Sequence, residues 1–180
     1  MIQLDTSWLQ HVQKPARYTG GEYNSIVKDH STVDVTMALA FPDVYEVAMS
    51  HLGIKILYGL VNRRDDAAAE RVFAPWHDME EEMRKRNIPL FSLETRTPIK
   101  DFDVLAFTLQ YEMSFTNILN MLDLAGIPMY SKDRDMDFPL LVCGGPCAFN
   151  VEPIADFFDI VSLGESEEWG DEFIDLYKAE

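Results

Sequence analysis

The chain is short of basic residues and of cysteine, and both shortages narrow what it can do. Of its 180 residues, 15 are Lys or Arg against 31 Asp or Glu, a formal net charge of −16. A nucleic-acid backbone or an anionic membrane surface is repelled by such a surface, so neither is an expected partner. No apolar run approaches the roughly 20 residues that span a bilayer. The opening MIQLDTSWLQ has no charged start followed by an apolar core, and the expectation is a cytoplasmic protein. Two cysteines, Cys143 and Cys147, build neither a disulfide framework nor a four-ligand metal site. Free thiols are expected, since a thiol or metal role needs a third ligand, for which His51 and His77 are the candidates. No G-x-G-x-x-G follows a strand and no G-x-x-x-x-G-K-[ST] occurs, which removes a dinucleotide fingerprint and a triphosphate loop. Internal repeats and low-complexity segments are also missing.

What is present is an alternation of strand and helix signals around the stretch Pro139 to Glu165. Its two short apolar runs, Leu140 to Cys143 and Ile160 to Leu163, are each stopped by glycine, as buried parallel strands are. Upstream, residues 1–31 form an arm with a weak helical pattern at Trp8, Leu9 and Val12. In that arm Gly20-Gly21 makes a turn or, alternatively, a backbone nest for an anion. Thr32 to Phe41 reads as the first core strand, ended by Pro42. After a loop, Met49, Leu52, Ile56 and Leu60 recur at three and four and predict one buried helical stripe. Ala69 to Ala74 predicts the second strand. Trp76, Met79 and Met83 mark the inner face of the next helix, and Glu80-Arg84, Glu81-Lys85 and Glu82-Arg86 pair on its outer face. Leu90 to Glu94 suggests a small edge strand and Asp103 to Gln110 the third core strand. Ser114 is a candidate N-cap for a helix that Gly126 stops. A helical turn near Pro153 to Phe157 precedes the fifth strand, and Trp169, Phe173, Leu176 and Tyr177 line the last helix.

Five strands alternating with helices over residues 32–180 predict an α/β, doubly wound parallel five-stranded sheet. It is Rossmann-like, with the flavodoxin-like order 2-1-3-4-5. Ligands of such sheets bind outside the carboxyl ends of the strands, so Gly144, Gly145, Gly164 and Glu165 are candidate site residues. Thr108 and Gln110, with Tyr111 and Glu112 just past the third strand, face the same rim. Close packing in a strand-to-helix turn explains Gly144 and Gly145 equally well. A phosphoacceptor aspartate is missing at Phe107-Thr108-Leu109, and Pro42 to Ser50 is not a flavodoxin-type phosphate loop.

The ordered set Gly144-Gly145-Pro146, Val151-Glu152-Pro153, Asp156 to Asp159 and Gly164-Glu165-Ser166-Glu167-Glu168 resembles the cobalamin-binding domain that precedes the radical S-adenosylmethionine (SAM) barrel in one large enzyme class. Over about residues 15–180, including FPDVYEVAMSHLG, FAPW, PLFSLE and LQYEMSFTNILNMLDLAGIP, the chain is similar to the amino-terminal domain of an uncharacterised bacterial subfamily. The resemblance implies cobalamin as cofactor, held by Gly144, Gly145, Pro146, Tyr45, Met49, Thr108, Gln110, Gly164 and Glu165. It implies no catalytic residue and no metal ligand in this stretch. It also implies that the chain is a fragment cut at a domain boundary. The [4Fe-4S] cluster and SAM belong to the carboxyl-terminal radical SAM domain that would follow, the implied partner. Family members that ligate cobalt through histidine use D-x-H-x-x-G; Asp43, His51 and Gly53 lack that spacing, so His51 is expected to be a hydrogen-bonded or exposed residue at a helix start. An alternative is an interaction module whose slot is filled by Tyr45 and Met49.

Overall fold

The computed structural model describes residues 6–179; the first five residues of the arm and Glu180 lie outside the described residues. The β-branched and apolar runs pair in parallel in the order β2-β1-β3-β4-β5, as the sequence predicts. The strands are β1 (Val35–Phe41), β2 (Ala67–Phe73), β3 (Val104–Thr108), β4 (Leu140–Gly144) and β5 (Ile160–Val161). Every residue of β1 and β2 is buried, because helices or the arm cover both faces. Helices α1 (Tyr45–Ser50), α2 (Leu52–Arg63) and α5 (Ser166–Ala179) serve one face, and α3 (His77–Arg86) and α4 (Phe115–Ala125) the other. Among the described residues no helix is long and apolar enough to cross a membrane.

The β1–β3 junction at the centre of the sheet is fastened at its amino end. Thr36 donates to Asp103 Oδ2 from its backbone N at 2.7 Å and from its hydroxyl at 2.6 Å. The Asp103 N–H returns a bond to Thr36 Oγ1 at 3.1 Å.

Three local expectations are corrected. Met49, Leu52, Ile56 and Leu60 are not one buried stripe: the helix breaks at His51 (φ −78°, ψ 125°) and restarts, so α2 buries Ile54, Tyr58, Val61 and Asn62 while Leu52 is 68% exposed. The Tyr58 ring can be buried because its hydroxyl is satisfied by the arm, accepting from Ile26 N at 2.7 Å. Leu90 to Glu94 forms no strand of the sheet, only an isolated antiparallel bridge between Phe91 and Pro98. Ser114 precedes α4 but does not cap it; its hydroxyl donates back to the Tyr111 carbonyl at 2.8 Å. Gly126 does stop α4, in the left-handed conformation at φ 68°.

The arm is part of the core and not a loose lead-in: Trp8, Leu9 and Val12 are buried with α3 and α4 residues. It then crosses near the β2 edge, where a Cβ on Gly20 would stand 2.4 Å from the Leu93 carbonyl oxygen. That close approach, with φ +67°, accounts for Gly20 as a turn residue. The outward backbone groups of β2 are answered mostly by side chains. Asn62 bonds both N and O of Ala69, Lys28 Nζ donates to Ala67 O, and Glu94 accepts from Arg71 N. Leu93 N supplies the remaining donor, to Arg71 O.

Candidate functional site

Because side chains alternate along a strand, Met37, Leu39, Ala106, Thr108, Val142 and Gly144 share one sheet face. Large residues such as Leu105, Phe107 and Leu141 take the other. On the first face small residues recur toward the carboxyl ends: Ala106, Gly144, Ser162, and the helical Gly53 and Gly170. They leave a cavity of about 290 Å3 between the sheet, α2 and α5. Ile54, Leu57 and Val61 form one wall and Trp169 the other, so the interior is apolar. The polar side chains, His51, Thr108, Gln110, Ser162, Ser166 and the glutamates Glu165 and Glu167, come from the strand ends and the α2 and α5 starts. No Lys or Arg lines it among the described residues.

Six of the sequence-predicted residues line this cavity: Thr108, Gln110, Gly144, Gly145, Gly164 and Glu165. Pro146, Tyr45 and Met49 do not. Tyr45 packs edge-on against Phe73, with ring centroids 5.8 Å apart, and Met49 Sδ accepts from Arg71 Nη1 at 3.3 Å. Both face the β2 side because α1 ends before the chain turns into α2, so neither lines the cavity, and the alternative of a slot filled by Tyr45 and Met49 does not describe it. Gly144 has ordinary room, since its Cβ would meet Ser162 Cβ at 3.5 Å. Gly145 does not: at φ +107° its Cβ would lie 3.0 Å from Leu109 O, an oxygen that also accepts from Cys147 N. Close packing in the turn therefore explains Gly145 directly, while its backbone still borders the cavity. Gly164 has open space around it but sits at φ +106°, a conformation that only glycine adopts without strain.

A polar chain crosses the site from α2 to β3. His51 Nε2 lies 3.1 Å from Gln110 Oε1, and Gln110 Nε2 donates to Thr108 Oγ1. Gly53 makes room for the imidazole, because a Cβ there would be 2.9 Å from His51 Cε1. His51 Nδ1 is buried without a hydrogen-bond partner. Asp43 does not orient it: its carboxylate accepts from Val44 N at 2.7 Å and from the Tyr111 hydroxyl at 3.2 Å. His51 thus stands at the helix start, hydrogen-bonded, as its spacing predicts.

Cys143 and Cys147 are free thiols. The Cys143 side chain belongs to the core on the far face, where burial pushes its thiol up to about 12. Among the described residues no three His, Cys, Asp or Glu side chains gather as a metal site. His77 starts α3 with its ring against Trp76.

Sequence reasoning did not single out Leu57, Ser162, Ser166, Trp169 or Gly170 as site residues, and it saw Gly53 only as part of an imperfect motif. The available signal was glycine inside two helical patterns, at Gly53 and Gly170, where it costs helix stability and marks a close approach.

An uncharacterized protein of Methanocaldococcus jannaschii is 28% identical over 134 residues, which cover 73% of this chain. The match spans 24% of that relative's length. The family described as radical SAM proteins, N-terminal, matches residues 53–180, from the first turn of α2 through α5. That stretch contains both helical walls of the cavity and the ends of β3, β4 and β5, and the chain belongs to this family of radical SAM amino-terminal domains.

Proposed function

We propose that this domain binds cobalamin at the carboxyl rim of its sheet and positions it for a following radical SAM domain, doing no chemistry alone. The observation that carries the reading is the open apolar cavity of about 290 Å3 at the strand ends, where open α/β sheets take ligands. Its volume lies at the lower end of small-molecule pockets, which run from about 300 Å3 upward. It suits a planar base and sugar, and is too small for a corrin. Next to its lining residues in the chain stand exposed apolar side chains, Leu52, Tyr111 and Leu163, which suit a large flat ring resting on the rim. Gly144, Gly145, Thr108, Gln110, Gly164 and Glu165 are the residues that would hold the cofactor. When bound, cobalamin supplies a cobalt–carbon bond as the reactive group. His51 is not its metal ligand in this reading: Nε2 is engaged by Gln110, Nδ1 is buried, and no carboxylate fixes the ring. The cytoplasmic partner is the protein's own carboxyl-terminal radical SAM domain, with its [4Fe-4S] cluster and SAM.

The test is titration with hydroxocobalamin of the unmodified chain and of Ala106→Phe, which puts a ring on the cavity floor. The unmodified chain is expected to bind with the cofactor's own base displaced, seen in its absorption spectrum. Ala106→Phe should lose binding while keeping its unfolding midpoint within a few degrees. Absence of binding by the unmodified chain overturns the proposal.

A further inference from the structure

His51 and Gln110 hold each other across the mouth of the cavity, one from the start of α2 and one from just past β3. Gln110 turns its amide nitrogen to Thr108 and its amide oxygen to His51. His51 Nε2 is then the donor and Gln110 Oε1 the acceptor. That arrangement leaves Nδ1 unpaired within the fold. Resting on the cobalamin reading of the same cavity, we infer that His51 and Gln110 are a recognition pair for a neutral carboxamide of the ligand, which inserts between them.

The hydrogen-bond balance favours that group. A carboxamide oxygen accepts from His51 Nε2–H, and its N–H donates to Gln110 Oε1, so the bond broken at the mouth is replaced by two. A carboxylate has no hydrogen for Gln110 Oε1, and it would meet Glu165 and Glu167 with no Lys or Arg on the lining to offset them. The corrin periphery carries carboxamides, so recognition there reads the substituents and not the metal. Gly53 leaves room for the pair, since a Cβ on it would stand 2.9 Å from the His51 ring.

Four proteins decide it: the unmodified chain, His51→Phe, Gln110→Leu and the double variant, each titrated with hydroxocobalamin and with a monocarboxylate derivative in which one peripheral amide is hydrolysed. Each single variant should weaken hydroxocobalamin binding about tenfold, the size of one or two hydrogen bonds. The double variant should lose little more than either single one. At least one monocarboxylate isomer should bind the unmodified chain more weakly, and that penalty should shrink in Gln110→Leu. Unchanged affinity in both single variants overturns the recognition pair while leaving the cobalamin reading intact. A changed cobalt spectrum in His51→Phe overturns it by making His51 a ligand. Failure of the unmodified chain to bind overturns the cobalamin reading and the carboxamide with it.

The His51–Gln110 bond across the mouth has a separate readout. In a Cys147→Ser background, Ala106→Cys places a thiol on the cavity floor for methyl methanethiosulfonate, while Cys143 stays buried on the opposite face. Adding Gln110→Leu should speed that modification several-fold, and an unchanged rate overturns the role of that bond at the mouth.

Discussion

Glu70 carries a carboxylate into the middle of β2, where it is 2% exposed. Burial alone would raise its carboxyl, but hydrogen bonds from His30, then Ser92 and Thr95, outweigh that and hold Glu70 below the usual carboxylate range. His30 Nε2 lies 2.7 Å from Oε1, and the Thr95 hydroxyl is 2.7 Å from Oε2. A lowered carboxyl stabilises the fold above its unfolded pKa and loses that contribution as pH falls through the folded value. Glu70→Gln is therefore expected to cost about 1–3 kcal/mol near neutrality. The cost should narrow as pH falls below the ordinary glutamate value of about 4.3, where Glu70 of the unfolded chain takes up its proton. Urea unfolding at pH 7 and pH 3.5 measures this, and an equal cost at both would refute the ionic account. Glu94 acts in the opposite sense, since burial pushes its carboxyl up despite the bond from Arg71, so a Glu94 variant is no substitute. None of this was legible in the sequence. Glu70 and Glu94 read only as parts of short apolar runs, because their partners lie 22 to 40 residues away.

Elements were read best where burial dictates composition. The strands of the sheet were visible because a strand covered on both faces must be apolar at nearly every position. The orientation of α2 was not: its apolar residues surround more than half of the helix, and the break at His51, which follows from no strong breaker, decides which of them turn inward. Nor was the false strand at Leu90 to Glu94 avoidable, since its residues are buried by the arm and α3 without joining the ladder. The β2 edge shows an interaction that periodicity cannot report. Asn62 stands in for a neighbouring strand by bonding Ala69 N at 3.1 Å and Ala69 O at 2.9 Å. Asn62→Leu keeps the volume and removes both bonds. It should cost about 1–3 kcal/mol for each backbone group left unpaired, measured by chemical unfolding. It should also increase self-association in sedimentation, because an unanswered edge invites pairing. Stability equal to that of the unmodified chain would contradict this role.

For the whole molecule, the two cysteines set a limit that the fold does not relax. Cys143 is buried on the far face and Cys147 lies just past β4, so the 180-residue chain cannot offer three thiolates to one cluster. Reconstitution with iron and sulfide is expected to yield no reductive cleavage of SAM, and 5′-deoxyadenosine formed by the purified chain would contradict that. The rim that carries the cavity was legible from the glycines that end the strands. The cavity itself was not, since it depends on which helix residues face Ala106 and Gly144 across the sheet. Tyr45 and Met49 were misplaced for the same reason.

The junction fastened by Thr36 and Asp103 joins residues 67 apart in the chain, and the cavity opens at the carboxyl end of that same junction. A partly folded chain that has formed only β3, β4 and β5 has half a floor and no α2 wall, so it has nothing to bind with. Whatever occupies the cavity therefore counts the complete fold alone, and by mass action adds about 2.7 kcal/mol to its stability at a free concentration one hundred times Kd. A ligand bound there would thereby also act as a folding cofactor, raising the share of the domain held in its finished form as its supply rises.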